Sequence, residues 1–380
     1  MARPIGFFVH HQGRGHANRT KAIIERLDGR PVHVLTADPA LFDGFDRPVT
    51  MHALPNMIGA PQASAALEAY DTPSVLHCVP MGTPAMREHM GLIARHLMED
   101  DPGLFVVDVS SEIALLARIH AVPAVLIRMH GNRSDVGHLG AYEASAAMLA
   151  PFSEAIEQAD YPEWARARTH YAGGLCTTTD PVPSREEARH ALGLDPEREL
   201  VVVLTGGGGS GTPWAPLTVG ARAAPEADWV ALGPIHREGH ETEFSNLRHL
   251  GWVDGVTLWL AAADIVIASA GDNTVHEIAR VGRPFLVVPE WRYFDEQWRK
   301  AQELDRVGAA AMLPVWPGNL ADWRHALKRA KAVDLDAQRE LFDAAAAESA
   351  AQFLMETSDR LWPADYVSRT TPTKGSSRNA

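Results

Sequence analysis

Cysteine is nearly absent from this chain, which has Cys78 and Cys176 and no others among its 380 residues. The two lie far apart and lack the spacing of a metal-binding pair, so the sequence supports neither a disulfide framework nor a structural zinc site. Long apolar runs are also absent: none reaches the roughly 18 residues that a membrane-spanning helix needs, and no export signal stands at the N-terminus. We therefore expect a cytoplasmic protein with reduced thiols.

The chain also has fewer basic than acidic residues: it contains 35 lysines and arginines and 48 aspartates and glutamates, which gives a formal net charge of -13. A nucleic-acid binder needs a basic surface, so nucleic acid is not an expected partner, although a local basic patch stays open. The hydrophobic share of 46% and charged share of 22% are those of a globular protein. The chain is longer than one core usually organises, which predicts two domains.

Apolar strands alternate with helical patterns in both halves of the chain, which predicts α/β domains built on parallel sheets. Residues 172–186 lose this periodicity and gather glycine, threonine and proline, as connectors do. The predicted parts are a first domain, a linker, a second domain, an alanine-rich helical segment that could cross back to the first domain, and a disordered tail. They cover residues 1–171, 172–186, 187–335, 336–362 and 363–380 in turn.

The most informative segment is 265–277, an apolar run that breaks at Gly271 and restarts with Asp272, Asn273 and Thr274. This pattern predicts a strand, a tight turn and the start of a helix. Free N–H groups and the positive end of the helix dipole at such a turn attract an anion such as a phosphate. Glu277 follows about a turn and a half later, so its carboxylate can lie near a ribose. The segment predicts a nucleotide site.

A glycine-rich loop at 205–212 follows the first strand of the second half and contains Gly208, Gly209 and Ser210. It is a candidate phosphate cradle, although it lacks the lysine of a Walker loop and could be a flexible connection. Trp252 and Val253 lie in a later loop and could supply contacts to a flat base. A tryptophan that only packs is the equal alternative.

Two further candidates stand where helices are predicted to begin. Gly15 and His16 close the loop after the first strand, and a histidine, with an ordinary pKa near 6.5, suits proton abstraction from a hydroxyl. Capping or anion binding is the alternative for His16. Glu296 and Gln297 follow a strand of the second half, where they could bind sugar hydroxyls or be solvated residues of a first turn.

Polar residues also end two strands of the first half. Asp108 closes one strand, and a polar loop follows Arg128. These loop residues could line an acceptor pocket or face solvent. They are His130, Arg133, Asp135 and His138.

On these residues the chain resembles a GT-B glycosyltransferase and is closest in pattern to glycosyltransferase family 28, which includes lipid-linked peptidoglycan N-acetylglucosaminyltransferases and macrolide glycosyltransferases. The segment 271–277 resembles the diphosphate and ribose element of the family, Glu296 and Gln297 its donor-sugar pair, and the loop 13–16 its glycine-rich loop with a terminal histidine. The chain departs from the family at Asp272, which stands where a second glycine is often found.

The resemblance implies two Rossmann-like domains facing across a cleft, with the acceptor on the first and a nucleotide sugar, expected to be a UDP-sugar, on the second. It implies sugar transfer to a hydroxyl with inversion, without a metal or a cofactor. His16 or Asp108 would deprotonate the acceptor, a small molecule or a lipid-linked one, the latter with peripheral contact at the inner face of a membrane. Gly15, His130, Arg133 and Asp135 are the expected acceptor contacts.

Two other classes of function stay open. A UDP-sugar 2-epimerase or a nucleotide-sugar hydrolase uses the same fold and a similar donor site, and a noncatalytic nucleotide-sugar-binding protein would keep the donor site alone. The sequence does not define the oligomeric state.

Overall fold

The computed structural model describes residues 3–56, 64–176, 178, 180–207, 209 and 211–363. Two predicted donor contacts, Gly208 and Ser210, lie outside the described residues. So does the predicted tail beyond Pro363.

The first domain is built on a parallel sheet of seven strands. Nearly all residues of its central strands are buried apolar ones, as expected for a parallel sheet covered by helices on both faces. The strands are β1 Ile5–Val9, β2 Val32–Thr36, β3 Thr50–Ala53, β4 Leu104–Asp108, β5 Ala124–Ile127, β6 Ala147–Ala150 and β7 Thr169–Tyr171. The helices are α1 Arg14–Ile24, α2 Ala65–Glu68, α3 Pro84–Glu99, α4 Ser111–Ile119, α5 Val136–Ala144 and α6 Glu163–Arg166.

The second domain repeats this plan with six parallel strands and a separate two-residue ladder. Its strands are β8 Leu200–Leu204, β9 Thr212–Pro213, β10 Asp228–Leu232, β11 Ile235–His236, β12 Leu247–Gly251, β13 Ile265–Ala268, β14 Phe285–Val287 and β15 Ala311–Met312. The helices that follow the first domain are α7 Arg185–Leu192, α8 Trp214–Ala223, α9 Val256–Ala262, α10 Asp272–Val281, α11 Glu296–Arg306, α12 Leu320–Ala330, α13 Leu335–Arg339 and α14 Ala346–Leu361. The predicted α/β architecture with two Rossmann-like domains is confirmed.

The strand order of each sheet determines which loops lie together at the carboxyl ends of the strands. The first sheet runs β3-β2-β1-β4-β5-β6-β7 and the second β12-β10-β8-β13-β14-β15. In each sheet the chain moves outward on one side and then returns to the other side of its first strand, β1 or β8. In open α/β sheets, ligands bind beyond the carboxyl ends of the strands at this reversal. The loops after β1, β4, β8 and β13 are therefore expected to form the site.

The helical segment at the end of the chain is divided between the two domains. Helix α13 lies against α10 of the second domain, whereas α14 packs against α1 and β4 of the first. Trp362 fixes the end of α14, because its Nε1 donates to the carbonyl of Gly103 at 2.7 Å. Among the helices of the described residues, none combines the length and the apolar character needed to cross a bilayer.

Candidate functional site

His16 and Asp108 lie together at the carboxyl ends of β1 and β4. Gly13, with a φ of 84°, turns the chain after β1 into α1, which carries His16. The Nδ1 atom of His16 lies 2.6 Å from Oδ2 of Asp108, and the His16 side chain keeps 25% of its exposure while that of Asp108 keeps 1%. The two predicted catalytic residues thus form one pair, in which only the imidazole reaches solvent.

A buried guanidinium holds the other oxygen of this carboxylate. Nη2 of Arg19 donates to Oδ1 of Asp108 at 2.7 Å. Burial by itself would raise the pKa of Asp108, but His16 and Arg19 together hold that pKa well below its usual range. Asp108 is therefore a permanent carboxylate behind His16, enclosed too deeply to meet an acceptor, which favours His16 over Asp108 as the base.

Arg19 also reaches the second domain. Its Nη1 lies 3.3 Å from Oδ2 of Asp272, the first residue of α10, and the ammonium group of Lys300 contacts Oδ1 of the same carboxylate. Lys300 is fully buried, and burial, followed by the charges of Arg19 and Arg133, lowers its pKa to about 7. The aspartate that departs from the family pattern is thus held by two cations, one from each domain.

A cavity of about 470 Å³ lies beside the N-terminal end of α10. Four of the predicted donor contacts line it, namely Trp252, Asn273, Thr274 and Glu277. The start of the glycine-rich loop, with Thr205 and Gly206, forms another wall. The first domain contributes Asn18, two residues after His16, so the cavity opens at the junction between the domains.

Glu277 is oriented by the linker rather than by its own helix. The hydroxyl of Thr178 donates to Oε1 of Glu277. Burial raises the pKa of Glu277, partly opposed by Thr178 and Arg280. Glu277 lines the cavity, so its contact with a ribose stays a prediction that this position allows.

Three other predicted donor residues are not among those that line the cavity. Gly209 packs so closely on the Glu290 carboxylate that a Cβ atom would collide with it. Gly271 is the N-cap residue of α10. Val253 packs against the core rather than lining the cavity.

Glu296 and Gln297 differ in what they contact. Glu296 accepts from Nη2 of Arg133 at 2.8 Å, so a predicted donor contact and a predicted acceptor contact meet across the domain junction. Gln297 is 4% exposed, and its Oε1 accepts from the N–H groups of Ala270 and Glu290 at 3.2 and 2.9 Å. This oxygen therefore braces the loops after β13 and β14 and is not free to bind a sugar.

The expectation that His130 lines an acceptor pocket is wrong. His130 has no exposed surface, its Nε2 donates to the carbonyl of Ile156 at 2.7 Å, and its ring packs 4.1 Å from that of Phe152. Burial lowers its pKa well below the usual value, so it is a neutral core histidine.

Two other predicted acceptor contacts, Asp135 and Gly15, lie against other parts of the protein. Asp135 caps α5 by accepting from the N–H groups of Gly137 and His138 at 3.0 and 3.1 Å. Gly15 faces the second domain, since a Cβ there would lie 3.7 Å from the side-chain amide of Asn273.

Sequence analysis missed Arg19 and Lys300. Arg19 had a usable signal, because it lies three residues after His16 and so on the same face of α1. Lys300 had no such signal, because the sequence around a lysine in an amphipathic helix does not indicate that its side chain is buried. Thr178 was hidden in the predicted linker.

The second domain matches the model of the glycosyltransferase family 28 C-terminal domain over residues 231–317. Among curated proteins, the chain is 28% identical over 249 residues to the UDP-N-acetylglucosamine–N-acetylmuramyl-(pentapeptide) pyrophosphoryl-undecaprenol N-acetylglucosamine transferase of Sorangium cellulosum, covering 62% of this chain and 58% of the relative. The protein of the same name from Methylorubrum populi is 39% identical over 107 residues, or 27% of this chain and 26% of the relative. The chain spans less than two thirds of the length of these relatives.

Solved structures match over nearly the whole chain. The glycotransferase of kitacinnamycin superposes with a TM-score of 0.64 at 16% identity, covering 96% of this chain and all of the other. Acinetobacter baumannii MurG gives 0.63 at 15% identity, covering 94% of this chain and all of MurG. The predicted GT-B fold and the predicted resemblance to family 28 are confirmed.

Proposed function

We propose that this chain, a GT-B protein with a family 28 C-terminal domain, is a glycosyltransferase that moves a sugar from a nucleoside diphosphate donor, a UDP-sugar, to an acceptor hydroxyl. One observation carries the proposal. The cavity that holds Trp252 and Glu277 also includes Asn18, two residues from the His16–Asp108 pair. A donor site and a candidate base therefore meet at the domain junction.

The cavity offers one group for each part of such a donor. The exposed ring of Trp252 is proposed as the stacking surface for the base. The backbone of Gly207 lies close beside this ring, since a Cβ on Gly207 would be 3.3 Å from the indole. Oε2 of Glu277 is placed for a ribose hydroxyl. The N–H groups of Asn273 and Thr274, in the first turn of α10, are placed for the diphosphate, where the helix dipole favours negative charge.

His16 is the proposed general base. Nδ1 lies 2.6 Å from Oδ2 of Asp108, and the Nε2 atom is proposed to take the proton of the acceptor hydroxyl. The acceptor oxygen then forms a bond to the anomeric carbon as the bond from that carbon to the diphosphate breaks, with inversion. Asp108 is a positioning residue, which fixes the tautomer and ring orientation of His16.

The leaving diphosphate takes up negative charge, which the N-terminal end of α10 is placed to stabilise. Arg19 and Lys300 pair with the Asp272 carboxylate at the first residue of that helix, so this carboxylate opposes the charge of the diphosphate less than an unpaired one would. The N-terminal end of the helix can take the role that a divalent cation has in other transferases, so we propose a metal-independent transfer.

The acceptor is proposed to have an apolar portion. Exposed apolar side chains lie on the segment that follows β3, at Tyr70, Val75 and Met81, and at Val136 where α5 begins. The two surfaces adjoin, because a Cβ on Gly137 would lie 2.9 Å from the carbonyl of Val75. A lipid-linked acceptor or an apolar small molecule fits this surface, and the former would bring peripheral contact with a membrane.

A thermal-shift panel of nucleoside diphosphates and nucleotide sugars tests the donor site, since a ligand of the folded state raises the Tm. We expect a uridine diphosphate compound to raise the Tm of the wild type but not that of Glu277→Ala. The control is Glu226→Ala, which changes an exposed glutamate that does not line the cavity and should respond as the wild type does. No response to any nucleotide would refute the donor site.

The nucleotide sugar that binds is then incubated with and without acceptors. Release of nucleoside diphosphate that requires an acceptor supports transfer. Release without one would instead indicate hydrolysis or epimerisation. Binding with no turnover across the acceptor panel would indicate a noncatalytic binding protein.

A further inference from the structure

Three histidines and an aspartate converge on one face of the first sheet, away from the proposed active site. His33 is in β2, His52 is in the edge strand β3, His96 is in α3, and Asp100 is the C-cap residue of that helix. One ligand atom from each lies within 4.8 Å of the other three. Their side chains keep between 1% and 32% of their exposure, so the cluster is largely enclosed.

The backbone explains why these residues meet. Leu35 pairs with His52 in the parallel ladder, and His33 lies two residues before Leu35, so both imidazoles stand on the same face. Gly6 in β1 pairs with His33 and leaves the space in which the ring of His96 lies, since a Cβ on Gly6 would come within 2.8 Å of His96 Nε2. His96 and Asp100 are four residues apart and so lie on one side of α3.

The distances suit a tetrahedral metal ion. A zinc ion with four ligands at about 2.0–2.1 Å separates its ligand atoms from one another by about 3.3 Å. Here His33 Nδ1 lies 3.2 Å from His52 Nε2. Asp100 Oδ2 lies 3.7 Å from His33 Nδ1, 3.8 Å from His52 Nε2 and 2.7 Å from His96 Nδ1. These values scatter around the expected separation.

The ligand chemistry narrows the choice of metal. Imidazole nitrogens favour zinc and its neighbours in the first transition row over magnesium and calcium, which prefer oxygen. Hydrogen bonding alone accounts for the His96–Asp100 contact, but it gives no reason for two further imidazole nitrogens to face the same carboxylate oxygen.

We propose that His33, His52, His96 and Asp100 form a structural binding site for one Zn²⁺ ion. Four protein ligands close the coordination sphere, as in structural rather than catalytic sites. His33 is near the amino end of β2 and Asp100 precedes β4, so these two ligands lie towards the amino ends of the strands, whereas His16 and Asp108 lie at the carboxyl ends. The ion joins the edge strand β3 to β2 and to α3, and it is independent of the transfer chemistry.

The test uses the full chain, purified without a polyhistidine tag and stripped of metal with a chelator. Zinc is titrated in competition with a chromophoric chelator. We expect one tight equivalent per chain, a zinc-dependent rise in Tm, and a loss of affinity of about 100-fold or more in His52→Ala. The matched control His325→Ala, which removes an exposed histidine from α12, should bind zinc as the wild type does.

A second cluster, His77, Asp135 and His138, is the internal competitor. Zinc binding that is lost in His77→Ala and kept in His52→Ala would overturn the proposal, as would the absence of a tight equivalent. If His52→Ala does not fold, X-ray absorption of the zinc-loaded wild type decides. Three imidazole ligands and one oxygen support the site, whereas two imidazoles or fewer overturn it, because the second cluster has only two.

Discussion

Arg19 and Asp272 form an ion pair across the domain junction, with Nη1 of the guanidinium 3.3 Å from Oδ2 of the carboxylate. The same guanidinium donates to Asp108, which in turn lies against His16. The proposed base and the first residue of the proposed diphosphate helix are therefore connected through one side chain. Asp272 stands where the resemblance to the family predicts a glycine, and its carboxylate makes contacts that a glycine could not make.

Asp272→Asn should destabilise the protein strongly. Removing this charge leaves Arg19 and Lys300 buried beside each other with less compensation, and breaking a buried pair costs about 3–5 kcal/mol. The measurement is chemical denaturation, compared with Asp336→Asn, which breaks an exposed pair with Arg339 and should cost about 1 kcal/mol or less. Equal effects of the two substitutions would show that the Asp272 cluster is not electrostatically important.

His16→Ala should lower turnover by about two or more decades and leave the affinity for the donor nearly unchanged, because the base acts on the acceptor. Turnover is measured as release of nucleoside diphosphate in the presence of acceptor, and donor affinity by thermal shift. His325→Ala is the control for loss of a histidine. Unchanged turnover would remove His16 from the mechanism.

Trp252→Ala should weaken nucleotide binding without affecting the unliganded fold. The side chain is 70% exposed, so little packing is lost, whereas stacking of an aromatic side chain on a base contributes about 1–3 kcal/mol. Calorimetric titration with the nucleotide should show an affinity about tenfold lower or worse. Trp164→Ala, on α6 of the first domain, should bind as the wild type does. An unaltered affinity in Trp252→Ala would place the base elsewhere.

Stability should fall as the pH is lowered from about 6.5 towards 4, partly because of His276. Burial lowers the pKa of His276 to about 4 in the folded state, so between these values the unfolded chain binds a proton that the folded chain does not. One such proton changes the free energy of unfolding by up to about 1.4 kcal/mol per pH unit.

His276→Asn should reduce this pH dependence, measured from denaturation curves at a series of pH values. Asparagine can keep the hydrogen bond that Nδ1 donates to the carbonyl of Leu175 at 3.1 Å. His325→Asn, an exposed control, should retain the slope of the wild type. A slope in His276→Asn equal to that of the wild type would mean that this histidine binds its proton equally well in the folded and unfolded chain.

Local patterns in the sequence identified the architecture and half of the site. The apolar strands before His16 and Gly271, and the turns that follow them, were sufficient to place these residues at carboxyl ends of parallel strands. Glu277 and Trp252 lie within a few residues of such turns, and both line the cavity, while their contacts with a nucleotide stay predictions. These features depend on neighbours in sequence.

What escaped prediction depends on contacts between distant segments. His130 reads as a polar loop residue, and only the packing of Phe152 and Ile156 around it makes it a core residue. Gln297 reads as a free amide until the loops after β13 and β14 are seen to donate to it. Lys300 reads as a surface cation, and its burial follows from the meeting of two domains.

The loop between β14 and α11 contains two residues with a strained backbone. Phe294 and Asp295 both adopt left-handed backbone conformations, with φ of 59° and 52°, which cost non-glycine residues about 1–3 kcal/mol each. The first domain offsets this cost, because Asn132 donates to the Phe294 carbonyl at 2.6 Å and to the Asp295 carboxylate at 2.8 Å. Separating the domains would break both hydrogen bonds while letting the two residues relax, so the backbone strain in this loop lowers the net cost of parting the domains here.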